Sequence, residues 1–256
     1  WRAIFYFITA ASLSVAVLIA VALPETRRDR GVSGSFRGDV GKLIRDRAFL
    51  GYMLCLVRAS QIIFAVAGGA PYTVVPQMGR TTAEYGAWFA TTGFAYLIGN
   101  LFCVRFAPRH SLEKLIWFGL ALQFAGALLN LTFSIVGTNQ SRAWLFGTQM
   151  IVMIANAFVM NNAAAGAISV RPEAAGTAAG AMGFLQQGIG ALVSQFGAYL
   201  GGHSTTTLPL TAAIFALSIA CVSPRRGSTW ISRCVSRGPC SAAASASSTS
   251  RSTARR

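Results

Sequence analysis

Arg58 is the residue whose type and position most clearly suggest chemistry. It lies about ten residues inside an otherwise uncharged apolar stretch, 48–70. A charge at that depth in hydrocarbon costs roughly 2.5–3.5 kcal/mol on insertion scales, so such residues usually face a bundle interior or a wet cavity. Gln61 lies three residues further on, and the two share a face if the stretch is helical. We predict that Arg58 binds an anion, gates a substrate or pairs with a carboxylate; the alternative is snorkelling toward the interface.

Side-chain amides are the other polar groups within the apolar stretches. One stretch contains Gln149, Asn156, Asn161 and Asn162. Gln149 and Asn156 lie one heptad apart, which brings them close together on a helix. Such amides either line a cavity or only join helices, where each hydrogen bond contributes on average well under ~1 kcal/mol. The candidate substrate-cavity residues are therefore Arg58, Gln61, Asn156 and Gln186.

The remaining residue types show no pattern for catalysis or for a cofactor. The five cysteines have no metal-ligand spacing, and there are only two histidines. The chain has no nucleophile–base pattern and no P-loop lysine motif, which argues against an enzyme and against ATP as an energy source. We predict no catalytic site, no metal and no cofactor. No Asp or Glu lies deep in an apolar stretch either.

The composition constrains the elements that must position these residues. Hydrophobic residues make up 54% of the 256, and charged residues only 11%, against roughly a quarter in soluble domains. There are 22 Lys and Arg against 7 Asp and Glu, a formal charge of +15. Proteins that bind nucleic acid place their cations on a polar face, whereas these cations lie between long apolar runs. We therefore predict a membrane protein without a nucleic-acid partner.

Apolar stretches follow one another from the start of the chain to residue 222. There are seven: 3–23, 48–70, 84–104, 115–135, 144–168, 176–200 and 208–222. Six reach the roughly 20 residues that a helix needs to cross the hydrocarbon core, and none shows the period-two alternation of a membrane barrel. Residues 81–84 (TTAE) predict a helix start with an acid, Glu84, in its first turn. The predicted fold class is an all-α membrane protein, a polytopic helical bundle.

Successive connecting segments are alternately rich and poor in Lys and Arg. Eighteen Lys and Arg fall on one side, including seven in 24–47 and seven after residue 222, and only three on the other. The positive-inside rule places the richer side in the cytoplasm. We predict a cytoplasmic 24–47 segment and a cytoplasmic C-terminus.

The last apolar stretch and the tail differ from the rest of the chain. As a helix, the fifteen residues 208–222 would span only about 22 Å, against roughly 30 Å of hydrocarbon. Residues 223–256 are rich in Ser, Arg, Ala and Gly and contain no acid, so we predict a disordered basic tail. Either this tail lies against anionic lipid, or it is an out-of-frame translation that cut the last helix short.

Glycines recur every seven residues along the stretch 176–200. They are Gly176, Gly183, Gly190 and Gly197. Residues seven apart lie on one helix face, and a face without side chains lets a neighbouring helix approach closely. We predict that this stripe serves helix packing; the alternative is a smooth surface on which two bundles rock against each other.

Several segments carry a resemblance to one family. They are Trp1–Phe7 with Leu23–Thr26 (WRAIFYF and LPET), Phe49–Tyr52 (FLGY), Pro71-Tyr72, Ala83–Gly86 (AEYG), and Arg171–Ala178 running into Gly183–Gln186. In this order they resemble the sixth, seventh, eighth and eleventh helices of major facilitator superfamily drug exporters, especially the Bcr/CflA (bicyclomycin-resistance-like) group. The resemblance covers about 1–222. Ala179-Gly180 departs from the group's pattern, which usually has Ser-Ala there.

The resemblance implies that the chain contains only about helices six to twelve of a twelve-helix protein. Residues 1–23 would be the last helix of the N-terminal half, 24–47 the basic loop between the halves, and 48–222 the C-terminal six-helix half with a truncated last helix. It also implies that the sixth, ninth and twelfth helices face lipid, although Gln123 and Asn130 lie on the ninth.

The resemblance further implies drug efflux, with a small amphipathic substrate exchanged for protons by alternating access in the inner membrane of a bacterium. The partners would be the lipid bilayer, the substrate, protons and the missing N-terminal half, which in the family usually carries the coupling acids. Two alternatives stay open. One is a truncated remnant without function, and the other is a metabolite or sugar porter of the same superfamily.

Overall fold

The computed structural model of the chain describes residues 2–22, 36–77, 79, 81–136, 142–204 and 207–222, which are helical almost throughout. The α-helices are α1 (Arg2–Ala22), α2 (Phe36–Arg45), α3 (Arg47–Tyr72), α4 (Thr82–Phe106), α5 (Leu112–Ile135), α6 (Arg142–Val170), α7 (Ala175–His203) and α8 (Leu208–Val222). Short helical turns of other types follow α3, α4 and α6, at Thr73–Gln77, Ala107–Arg109 and Pro172–Ala174. Because the described residues contain no strand, the predicted all-α class is confirmed.

Among the described helices, five are both long and apolar enough to cross a membrane: α1, α3, α4, α5 and α6. The stretch 176–200 was predicted to be a sixth membrane-spanning helix. It is long enough to cross a membrane, but its mean hydropathy is lower than that of the other five. It forms α7, of 29 residues, whose glycines and whose Gln186, Gln187 and Gln195 lower its mean hydropathy. Helix α8 has fifteen residues and is therefore only about 22 Å long. The chain is a multi-pass helical membrane protein.

Helix α1 belongs to a compact unit that ends at Ser35. All 21 of its residues are exposed, and nearly all of them are apolar. A helix that is apolar all round is suited to hydrocarbon rather than to water.

The second unit begins at Phe36 and has α6 at its centre. Helices α3, α4 and α5 pack around α6, while α7 packs along α3 and α8 packs against α5 and α3. One buried cluster includes Leu56 and Met182, and another includes Val66 and Leu210. Large apolar side chains such as Phe184 remain exposed on the outside of this bundle. Such a surface is expected where lipid is the solvent.

Local sequence explains where two of the helices begin. Helix α4 begins at Thr82 with Glu84 in its first turn, so the predicted helix start is confirmed. Thr81 caps it, because its Oγ1 accepts a hydrogen bond from the backbone N of Glu84 at 3.2 Å. Asp46 caps α3 by accepting from the backbone N of Ala48 at 3.0 Å. The described part of the predicted 24–47 loop contains α2. The predicted disordered tail, 223–256, lies outside the described residues.

Candidate functional site

Arg58 lies near the middle of α3, and its side chain is exposed. It follows Arg47, the first residue of the helix, by eleven positions, which is a rise of about 16 Å. Arginines near the ends of membrane helices reach the interface by snorkelling. At this depth the guanidinium needs a polar environment instead.

Gln61 is only 4% exposed, although it lies three positions from Arg58. Its Nε2 donates to the carbonyl oxygen of Val57 at 2.8 Å and to Ser60 Oγ at 3.2 Å. Its Oε1 has no hydrogen-bond partner within the described residues. Arg58 thus lies on the exposed side of α3 and Gln61 on its buried side, so the two do not share the predicted face.

Asn156 is fully buried on α6 and joins this helix to α3. Its Nδ2 donates to the carbonyl oxygen of Ala59 at 3.1 Å. Ala59, which accepts this bond, lies two positions before Gln61 on α3. Gln186, on α7, is half-buried. Of the four candidate cavity residues, Arg58 and Gln186 therefore reach the surface of the second unit, and the other two lie inside it.

The glycine stripe of α7 meets α3 along only part of its length. A Cβ at Gly197 would lie 2.5 Å from the carbonyl oxygen of Ala65, and one at Gly190 would lie 2.6 Å from the ring of Phe64. At Gly176 and at Gly183 there is nothing within 4 Å. Two members of the stripe thus leave no space for a side chain, whereas the other two face open space.

A cavity between α3, α5, α6 and α8 was not predicted from the sequence. Its volume is about 20 Å³, and its lining includes Asn130 and Gln149. These amides are 1% and 3% exposed. Within the described residues neither side-chain amide has a hydrogen-bond partner. The buried side-chain amide of Gln123, also on α5, has none there either. A signal was present in the sequence, because Gln123 and Asn130 repeat the heptad spacing of Gln149 and Asn156 on the helix that packs beside them.

Arg171 ties the connection between α6 and α7 to the start of α3. Its Nε lies 3.4 Å from Asp46 Oδ2, and its Nη1 lies 3.8 Å from Glu173 Oε1. Partly exposed ion pairs typically contribute only about 0–1 kcal/mol, so this contact orients the connection more than it stabilises the bundle. In the described part of the chain, no group of three or more His, Cys, Asp or Glu side chains could hold a metal ion.

Two bacterial proteins are similar to most of this chain. An uncharacterized MFS-type transporter, YdgK, from Bacillus subtilis (strain 168) is 24% identical over 223 residues, which is 86% of this chain and 54% of that protein. A bicyclomycin resistance protein homolog from Haemophilus influenzae is 23% identical over 205 residues, which is 75% of this chain and 49% of that protein. The chain therefore spans about half the length of the curated relatives it matches. No solved structure matches it significantly.

The family follows from the membrane helices together with a match to a family model. The model of the Major Facilitator Superfamily matches residues 1–195, which run from α1 into α7 and make up more than half of the chain. The predicted superfamily is thereby confirmed. The chain belongs to the Major Facilitator Superfamily of membrane transporters.

Proposed function

We propose that this chain is part of a drug efflux transporter of the Bcr/CflA type. Membership of the superfamily supports a transporter rather than an enzyme. The Haemophilus influenzae relative is named for bicyclomycin resistance, which supports the export of a small amphipathic compound. In this proposal the substrate leaves as protons enter, while two halves rock around a site near the membrane midplane.

The observation that carries the proposal is the exposed Arg58 in the middle of a membrane-spanning helix. An arginine at this depth is costly against lipid, so it favours a position on the wall of a polar cavity. Its positive charge attracts anions and repels cations. Neutral or anionic substrates are therefore favoured unless a carboxylate neutralises Arg58.

The proposed organisation assigns 1–23 to the last helix of an N-terminal half, 24–47 to a cytoplasmic loop between halves, and 48–222 to the C-terminal half. The matched residues make up 54% and 49% of the two relatives, which supports a missing N-terminal half as the partner of this one. They are also bacterial, which supports the bacterial inner membrane as the location. The cation count supports a cytoplasmic C-terminus.

Protons are the proposed coupling ion, and their binding group is assigned to the N-terminal half. The interiors of α3 to α8 contain no Asp or Glu, and Glu84 and Glu113 lie in the first turns of α4 and α5. A proton-coupled pump needs a titratable group that is exposed alternately to each side. A carboxylate of the opposite half could serve this purpose and pair with Arg58.

The test expresses the complete gene for this chain in a bacterium that lacks its own efflux pumps. Growth is measured with neutral, anionic and cationic antibiotics. We expect the complete protein to raise the inhibitory concentration of neutral or anionic compounds several-fold, and Arg58→Ala to abolish this increase. Arg105→Ala removes an exposed arginine from the last turn of α4 and is the matched control.

Three outcomes would contradict the proposal. Resistance that Arg58→Ala leaves unchanged for every compound would remove Arg58 from the transport pathway. Uptake of a labelled sugar or metabolite without any resistance would favour a porter of the same superfamily. A complete protein that reaches the membrane but transports nothing would favour a remnant without function.

A further inference from the structure

Asn161 is an exposed side-chain amide within the membrane-spanning part of α6. With 29 residues, α6 is about 43 Å long, which exceeds the hydrocarbon core by about 13 Å. Asn161 lies nine positions before Val170, the end of α6, so an equal overhang at both ends places it about 7 Å inside the core. Polar side chains at membrane depth usually face a bundle interior or a water-filled cavity rather than lipid. The exposure of Asn161 therefore indicates a water-filled cavity on this side of α6.

Asn100 on α4 holds the amide of Asn161 in one orientation. Asn100 Nδ2 donates to the carbonyl oxygen of Tyr96 at 2.9 Å, and Asn100 Oδ1 accepts a hydrogen bond from Asn161 Nδ2. An amide nitrogen has two hydrogens, and an amide oxygen is an acceptor. Beyond its bond to Asn100, Asn161 therefore has a second N–H and an oxygen with which to bind a ligand.

The neighbouring residue Asn162 shows the contrasting case of an amide that serves packing. It is 7% exposed, and its Nδ2 donates to the carbonyl oxygen of Phe158 at 2.7 Å and lies 3.2 Å from Cys103 Sγ on α4. Asn161 differs because it is exposed, and because Ala165, one turn further on, is too small to cover it. The amide of Asn162 is thus enclosed within the bundle, whereas that of Asn161 is open to a ligand.

Arg58 and Asn161 lie at a similar depth in the second unit. Arg58 is about 16 Å from the start of α3, and Asn161 is about 14 Å from the end of α6. These two helix ends lie at the same end of the bundle, because Arg171, which follows α6, pairs with Asp46, which precedes α3. Both side chains therefore lie at one level, on two helices that pack together.

We infer that Asn161 binds the transported substrate and selects compounds with hydroxyl or amide groups, and that Asn100 is the positioning residue that orients it. The inference rests on the proposed export function. A hydroxyl or amide group replaces the water that hydrates Asn161, whereas an apolar group leaves its N–H and oxygen unpaired, which weakens binding. The amide is neutral, so its selection complements the charge selection proposed for Arg58.

Cysteine labelling of the complete protein in membranes tests whether Asn161 faces water or lipid. The native cysteines are first replaced by serine, and N-ethylmaleimide then reports contact with water, because a thiol in apolar surroundings does not form the reactive thiolate. Ala121→Cys is the matched control, since Ala121 is exposed on α5, nine positions after Leu112. We expect Asn161→Cys to react several-fold faster than Ala121→Cys. Equal rates would overturn the inference.

Growth in thiamphenicol, a neutral amide with two hydroxyl groups, tests the selection of substrates in bacteria that carry the complete protein. Asn161→Leu should lower the resistance several-fold. Asn162→Leu, the same substitution at the enclosed amide, is the control and should leave most of the resistance. Equal losses would overturn the inference, because both amides would then serve packing. Export of other compounds but not of thiamphenicol would also overturn it.

The positioning role of Asn100 is tested by combining variants. Asn100→Leu should lower thiamphenicol resistance, and adding Asn161→Leu should cause no loss beyond that of Asn161→Leu alone, since Asn100 acts through Asn161. Additive losses would overturn this role. A complete protein that confers no resistance to any compound would contradict the proposed export function instead, while the labelling rates still decide whether Asn161 faces water.

Discussion

Asn156 joins α6 to α3 through one hydrogen bond, while its Oδ1 has no partner among the described residues. A single interhelical hydrogen bond in a membrane protein contributes on average about 0.6 kcal/mol. An unsatisfied buried oxygen opposes this gain. The amide of Asn156 should therefore contribute little net stability, whereas a charge in its place should be strongly destabilising.

We predict that Asn156→Leu barely changes the melting temperature of the detergent-solubilised chain. Asn156→Asp should destabilise it by on the order of 3–5 kcal/mol at neutral pH, because it buries a carboxylate without a compensating charge. Circular dichroism during heating measures both. Asn161→Asp, at an exposed position of the same helix, is the control. Equal losses for the two Asp variants would contradict the burial of Asn156.

The contact between α3 and α7 depends on glycine at particular turns. Gly201 lies against the backbone of Gly69, and Gly197 lies against that of Ala65, so the two helices run parallel and approach closely over these turns. Farther toward its start, α7 carries exposed or half-buried glycines with open space beside them. The same residue type thus serves close packing in one part of α7 and lowers helix propensity in the other.

Gly197→Ala and Gly183→Ala form a matched pair on this helix. We predict that Gly197→Ala destabilises the purified chain by about 1–3 kcal/mol, because the added methyl group meets the backbone oxygen of Ala65. Gly183→Ala should be neutral or stabilising by up to about 1 kcal/mol, since alanine favours a helix more than glycine does. Thermal unfolding measures both. A loss at Gly183 as large as that at Gly197 would show that the whole stripe packs.

At the scale of the second unit, helix direction determines where the charges gather. Two contacts show that helices α4 and α6 run parallel. Near their starts, Trp88 stacks on Phe146 with ring centroids 5.7 Å apart. Toward their ends, Asn162 Nδ2 lies 3.2 Å from Cys103 Sγ. Their ends therefore lie at the same end of the bundle. Arg171 follows the end of α6 there and pairs with Asp46 at the start of α3. This arrangement agrees with the alternating cation count.

We predict that a reporter that is active only in the cytoplasm works when inserted into 24–47 and fails when inserted between α5 and α6, at 137–141. The reason is that the connecting segments on the side of 24–47 carry far more Lys and Arg than those on the side of 137–141. The chain should also sediment with membranes and require detergent for extraction. A reporter that is silent in 24–47, or a product that stays dissolved after ultracentrifugation, would contradict the proposed orientation or the membrane location.

Hydropathy and the helix-start signal at 81–84 were sufficient to predict the all-α membrane fold, most of its helices and the start of α4. These properties are local or additive along the chain, because apolar length decides whether a segment can enter hydrocarbon. The family resemblance likewise rested on short segments that can be read in order. The orientation, the division into halves and the tail remain predictions.

Only the tertiary structure decided which side of each helix is covered. Spacing placed Arg58 and Gln61 on one face, yet one is exposed and the other buried. The heptad glycines are equivalent in sequence, but α3 approaches only part of α7. The cavity beside Asn130 exists because four helices meet there. Periodicity defines faces within one helix, whereas burial depends on the distance and direction of its neighbours, which no single segment encodes.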